Sequence, residues 1–163
     1  MKLYIEQKFW SFWGKYHVYN EDESIAFTVQ GQPALGHRLI ISDAWGTEVG
    51  MLKQELLHLF STFQIWERGV QLGYIRQKFS VLKPKLEIDF KGWKVEGDIW
   101  HWHFQVKDQA DRLVARVDQE IWHITDHYVI EAVRDEDILD VLMLALAISA
   151  VKSDNVAAAS TAN

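Results

Sequence analysis

The sequence predicts a mainly β fold: an internally duplicated, twelve-stranded antiparallel β-barrel enclosing a central hydrophobic C-terminal α-helix. Three observations predict it. Short β-branched and aromatic runs recur along the chain, the first half is echoed in the second, and the most apolar stretch comes last.

The runs are "KYHVY", "IAFTV", "RLIIS", "STFQIW", "LEIDF", "HFQVK", "RLVARV" and "YVIEAV", punctuated by turn signals such as "NEDES", "SDAWG", "FKGW" and "KDQAD". Alternating runs at this spacing are the pattern of an all-β sandwich or barrel.

The echo sharpens the choice. "YIEQKF" at Tyr4 returns as "YIRQKF" at Tyr74, a shift of 70, and Lys15, Tyr16 and Val18 meet Lys85, Leu86 and Ile88 at the same shift. After a shorter turn, "FTVQG" meets "WKVEG" at a shift of 66. Asp43, Val49, Gln54, Glu55 and "FQI" then meet Asp108, Val114, Gln119, Glu120 and "YVI" at 65. A shift that changes only at turns is what unequal hairpins in a duplicated unit produce, so residues 2–67 and 72–132 read as two copies of one β-unit. About six strands in each make a sheet that tends to curl and close, which removes its edges. A barrel that wide is not filled by its own side chains.

Residues 135–152, "DEDILDVLMLALAISAVK", supply the filling. Asp135, Glu136 and Asp137 read as an N-cap and an acidic first turn, and Lys152 and Asn155 as C-terminal signals. A helix apolar on every face must be enclosed by protein or lipid. Only about 14 residues lack strong polar interruption where a membrane span needs roughly 20. No Lys/Arg cluster or aromatic belt flanks the segment, so it reads as a core helix. Residues 1–154 then form a single domain, and 155–163, "NVAAASTAN", a disordered tail.

Composition narrows the functional classes. The 163 residues carry a net charge of −6, so nothing global favours nucleic acid. The absence of cysteine removes disulfide, Cys-zinc and thiol redox chemistry. The N-terminus lacks the apolar core of a signal peptide, giving an expectation of a cytoplasmic protein.

A duplicated β-meander followed by an enclosed helix resembles the LURP-one-related family, which is grouped with tubby C-terminal domains and phospholipid scramblases. The residues that carry the resemblance are "YIEQKFWSFWGKYHVYNEDE", "LIISDAWGTEVG", "YIRQKF", "WKVEGDIWHWHFQVKD", "VARVDQE" and "YVIEAVRDEDILDVLMLALAISAV", together spanning about residues 2–152. It implies a tubby-like barrel around a helix. Tubby-like relatives bind phosphoinositides through a basic face. Scramblases add palmitoylated cysteines and a calcium loop, and this chain has no cysteine and no D-x-[DN]-x-[DN]-G.

Two clusters are candidate sites. Arg76, Lys78, Lys83, Lys85, Lys91 and Lys94 oppose only Glu87 and Asp89, a local net of +4. Such a concentration attracts anionic headgroups at about 1 kcal/mol per residue near a membrane, while charge on a barrel exterior also serves solubility and edge protection. His101 and His103 in "WHWH" share a face if the segment is a strand, and with His123 or His127 would make a transition-metal site; the plainer reading has aromatics inward and imidazoles outward. No nucleophile elbow, P-loop, zincin or dinucleotide motif occurs. The leading expectation is therefore a non-catalytic binding module without a cofactor, for anionic phospholipid or a protein partner, peripheral at a membrane and without a transmembrane segment. The alternative is a small-molecule carrier or weak hydrolase using a pocket at a barrel mouth.

Overall fold

The computed structural model describes residues 1–6, 14–57, 59–80, 85–122 and 125–161. The first copy supplies β1 (Lys2–Glu6), β2 (Lys15–Tyr19), β3 (Ile25–Gln32), β4 (Arg38–Asp43), β5 (Glu48–Gln54) and β6 (Thr62–Glu67). The second supplies β7 (Val70–Lys78), β8 (Lys85–Phe90), β9 (Lys94–Asp98), β10 (His103–Lys107), β11 (Leu113–Trp122) and β12 (Thr125–Ala132). A 3-10 turn at Asp135–Asp137 leads into α1 (Ile138–Thr161).

All twelve strands form one antiparallel sheet in the order β8-β7-β6-β5-β4-β3-β2-β1-β12-β11-β10-β9. The copies therefore join twice, β6 to β7 and β12 to β1. Equivalent residues occupy equivalent places. Asp43 accepts from the Trp45 and Thr47 amides at 3.0 and 2.9 Å, and Asp108 accepts from Ala110 and Arg112 at 2.9 and 3.0 Å. These are aspartate-stabilised turns, as their chemistry predicts.

The barrel is nearly but not fully closed. The first copy pairs β2 with β3 from Lys15↔Gln30 to Tyr19↔Ile25. Their counterparts β8 and β9 are joined by a turn in which the Trp93 amide donates to the Phe90 carbonyl at 2.9 Å, yet they stand as the two ends of the ladder. The seam between them is flanked by partly buried Leu86, Ile88 and Val95.

Helix α1 fills the interior. Val141, Leu142, Met143, Leu144, Leu146 and Ile148 are each at most 1% exposed, and the inner-facing Leu3, Ile5, Val18, Ile41, Leu52, Phe63, Ile65, Ile75, Val106 and Ile130 pack in the same core. Burying each such aliphatic side chain contributes about 1.5–3 kcal/mol. Gly50 marks the closest approach on β5, where a Cβ would meet the Met143 sulfur at 2.7 Å. Among the described residues no helix is long and apolar enough to cross a membrane.

Two details depart from the sequence reading. The helix does not stop at Lys152 but runs to Thr161, through the stretch read as a tail, because Ala157, Ala158 and Ala159 favour helix strongly. Lys152 is no terminal signal. The acidic trio does supply an acidic first turn, but that turn is a 3-10 turn of its own, Asp135–Asp137, whose N-cap is Arg134 and carries no side-chain capping bond. Asp135 instead pairs with the chain's N-terminal amine at 3.0 Å, and Glu136 and Asp137 pair with Arg134 at 2.7 and 2.8 Å.

Strict antiparallel order sorts the connections between two ends. At the turn end lie residues 20–24, 44–47, 68–69, 91–93 and 108–112 and the start of α1. At the other, the loop end, lie 33–37, 55–61 and 99–102 and the C-terminal turns of α1.

Candidate functional site

The structure divides the six basic residues read from the sequence. Arg76, Lys78 and Lys85 point outward from β7 and β8 towards the loop end, whereas Lys91 and Lys94 belong to the turn end. Lys83 lies outside the described residues. Lys91 is committed elsewhere: its ammonium contacts the buried Asp140 carboxylate, stands 4.0 Å from Asp137 and lies over the Trp93 ring at 5.0 Å. That pairing neutralises an acid that would otherwise be buried alone at the top of α1. Lys91 serves the fold.

The remaining outward residues make a row. Register places Lys78 opposite Lys85, and Arg76 opposite Thr62 and Glu87. Two strands further along, Arg38 stands opposite Lys53. Like charges directly opposite each other destabilise a sheet, and this face has two such pairs. The row crosses β4, β5, β7 and β8, adjacent but for β6. Lys78 reaches Glu87 at 3.3 Å, and the Tyr74 hydroxyl donates to the same carboxylate at 3.0 Å; the tyrosine hydrogen bond and then Lys78 hold Glu87 below the usual carboxylate range. Arg76 donates to the Thr62 hydroxyl at 3.1 Å and lies over the Tyr74 ring at 4.7 Å. Among the described residues no carboxylate pairs with Arg38, Lys53 or Lys85. Arg38 and Lys53 lie outside the window that drew attention to residues 76–94. Strand register is the signal that brings them in.

The two histidines do not share a strand face. Residues Ile99–His101 form a 3-10 turn, Trp102 adopts a left-handed φ of 59°, and β10 begins only at His103. The cause is Asp98, whose carboxylate caps the turn by accepting from the Trp100 and His101 amides at 3.2 and 3.1 Å. His101 then pairs with Asp98 at 2.7 Å and His103 with Asp118 at 3.2 Å. The His101 hydrogen bond is the main reason the Asp98 carboxyl is held low. Of the suggested third ligands, His123 lies outside the described residues and His127 sits on β12. Among the described residues no group of three or more His, Asp or Glu is placed to hold a metal.

The loop end has a hub that sequence spacing does not reveal. Asp154, on α1, accepts from Gln54 at 2.5 Å and from the Ser61 hydroxyl at 2.6 Å, and lies 3.6 Å from His37. Gln54 in turn accepts from the His37 amide at 2.9 Å. The residue types are those of an acyl-transfer triad, but the roles are not: the serine proton is directed at the carboxylate instead of at an imidazole. The hub is a clamp that ties the β3–β4 and β5–β6 loops to the helix. Beside it, Lys152 donates to the Trp100 carbonyl at 2.8 Å and lies over the Trp102 ring at 4.4 Å. Burial pushes its ammonium down to about 8, opposed by Asp98.

A helix-filled, internally duplicated twelve-stranded β-barrel defines a structural class. Within it, the chain belongs to the LURP-one-related family, whose model matches residues 1–149, as the sequence resemblance implied. It is 28% identical over 152 residues to the uncharacterized protein YxjI of Bacillus subtilis (strain 168), covering 93% of each chain. Its fold is similar to the X-ray structure of a protein from Arabidopsis thaliana, with a TM-score of 0.56, 16% sequence identity and 88% coverage of both chains. That last likeness concerns the fold alone.

Proposed function

We propose that this protein is a non-catalytic binding module whose ligand is an anionic phospholipid surface. The observation that carries the reading is the pair of like-charge register partners, Lys78 opposite Lys85 and Arg38 opposite Lys53, on one outer face of a protein with a net charge of −6. Such juxtapositions cost the fold stability, offset within it only at Lys78, which pairs with Glu87 at 3.3 Å. Phosphate oxygens facing them offset that cost, at about 1 kcal/mol per basic residue near an anionic leaflet. A peripheral position at the cytoplasmic face of a membrane follows from this reading.

Sedimentation with phosphatidylcholine vesicles, with and without phosphatidylserine or phosphoinositide, tests it across a salt series. Binding is expected only to the anionic vesicles, weakening as salt rises. Lys78→Glu/Lys85→Glu is expected to lower the affinity by about tenfold or more, four charge units having changed. Binding indifferent to lipid charge and to salt would overturn the reading.

A further inference from the structure

The loop end carries a second feature that the basic row does not explain. Leu35, in the β3–β4 loop, is 89% exposed; Leu57 and Leu59, in the β5–β6 loop, are 99% and 91% exposed; Phe79, just beyond β7, is 75% exposed. These loops follow one another around the rim, since β3 to β8 are consecutive in the sheet. Gly36 lies so close to Leu56 that a methyl group there would meet its Cδ2 at 2.8 Å, so the first two loops touch.

The exposure is not that of an untied loop. Gln54 and Ser61 bracket the β5–β6 loop, and both donate to Asp154 on α1. The His37 amide anchors the β3–β4 loop to Gln54. The clamp holds the backbone while the leucines face outward. Contiguous exposed apolar residues of this kind mark interaction surfaces.

Charge selects the occupant. The leucines are bordered by Arg38, Lys53, Lys78 and Lys85, all at this end of their strands, while Glu55, the carboxylate of the β5–β6 loop, accepts a hydrogen bond from Gln64 at 2.6 Å. The turn end also exposes apolar residues, Trp45 at 89%, Val70 at 62%, Val133 at 61%, Met1 at 41% and Ile25 at 40%, but among more numerous carboxylates. Glu21, Asp22 and Glu23 fill one turn there, and Asp135 and Glu136 border Val133. Apolar tips beside a row in which bases outnumber acids suit the interface of an anionic bilayer, where side chains enter the acyl boundary and cations meet phosphates. Apolar tips among acids are kept from an anionic surface by the charge beside them.

We infer that the loop end docks on an anionic bilayer, with Leu35, Leu57, Leu59 and Phe79 entering the headgroup–acyl boundary. The barrel then stands with its turn end facing away from the membrane. The inference rests on the anionic-surface reading above and adds the orientation and the inserted residues.

The absence of cysteine gives a direct test, because Leu57→Cys and Trp45→Cys each provide a single labelling site. An environment-sensitive fluorophore at each position is followed during titration with phosphatidylcholine/phosphatidylserine vesicles, with sedimentation measured in parallel. The label at 57 is expected to shift to the blue on binding while the label at 45 does not. In the unlabelled protein Leu57→Ser/Leu59→Ser is expected to weaken vesicle binding by about tenfold or more, as follows from the apolar area lost, with an unchanged melting temperature because both side chains are exposed. Undiminished sedimentation with both labels remaining in water would overturn the docking inference and leave anionic binding standing. No sedimentation with any vesicle would overturn both. A blue shift at 57 that grows with protein concentration in the absence of vesicles would assign the surface to a second copy of the chain and overturn the lipid occupant.

Discussion

Lys91 and Asp140 meet where the barrel is least complete, at the turn between the unpaired edges β8 and β9. Asp140 is buried, and its Oδ1 has no hydrogen-bond partner among the described residues. Removing the lysine strands that charge, so Lys91→Met is expected to cost about 3 kcal/mol by urea denaturation. Lys91→Met/Asp140→Leu is expected to recover most of the loss, since a buried pair replaced by apolar groups is often neutral. Equal costs for the single and double variants would contradict this role. At the opposite end Lys152 makes a pH-dependent contribution. Its folded-state pKa of about 8 lies below the value of about 10.4 expected in an unfolded chain. Between these values the unfolded chain binds more protons, so stability from this group rises with pH across that window. The unfolding midpoint of the native protein is expected to gain on that of Lys152→Met between about pH 8 and about pH 10.4. Parallel curves would contradict it. Neither partner of Lys91 or Lys152 was legible in the sequence, because 49 residues separate Lys91 from Asp140 and 52 separate Lys152 from Trp100.

At the scale of elements, the strands with strong alternation were readable and the weak ones were not. β5 carries Gly50, whose missing side chain makes room for Met143, and β9 is five residues of "KVEGD" with only Val95 facing the core. Both lacked an apolar run of their own and were implied only by the repeat. The "WHWH" segment misled because Asp98 captures two amides and turns the chain before the second histidine. The helix was the most legible element, since no other part of the sequence is apolar on every face. Its C-terminal extension was missed because small alanines read as tail by polarity and as helix by propensity. Leu144, in the helix's second turn, is fully buried. Leu144→Asp is expected to abolish soluble folding, a buried unpaired charge costing several kcal/mol, as read by recovery in the soluble fraction and loss of near-UV circular dichroism. A folded variant of near-native stability would contradict the helix's place in the core.

For the whole molecule, duplication explains the architecture most economically. Two six-stranded units exchange edges at β6–β7 and β12–β1, and the helix that follows the second unit threads the space both enclose. The fold was legible because duplication and hydrophobicity are properties of the sequence itself. The basic row was legible only in part, because Arg38 and Lys53 join Lys78 and Lys85 through register across four strands, which spacing along the chain does not encode. The grouping of Leu35, Leu57, Leu59 and Phe79 with Arg38, Lys53, Lys78 and Lys85 at one end emerges only once alternate loops are known to share an end. Amide hydrogen exchange on the intact chain tests the enclosed helix most directly. The amides of Val141 to Ile148 are expected to exchange only through global unfolding, with opening free energies equal to that from denaturant melts. Exchange of these amides within minutes, under conditions that leave the strands protected, would show that the barrel stands without its helix and would contradict the account.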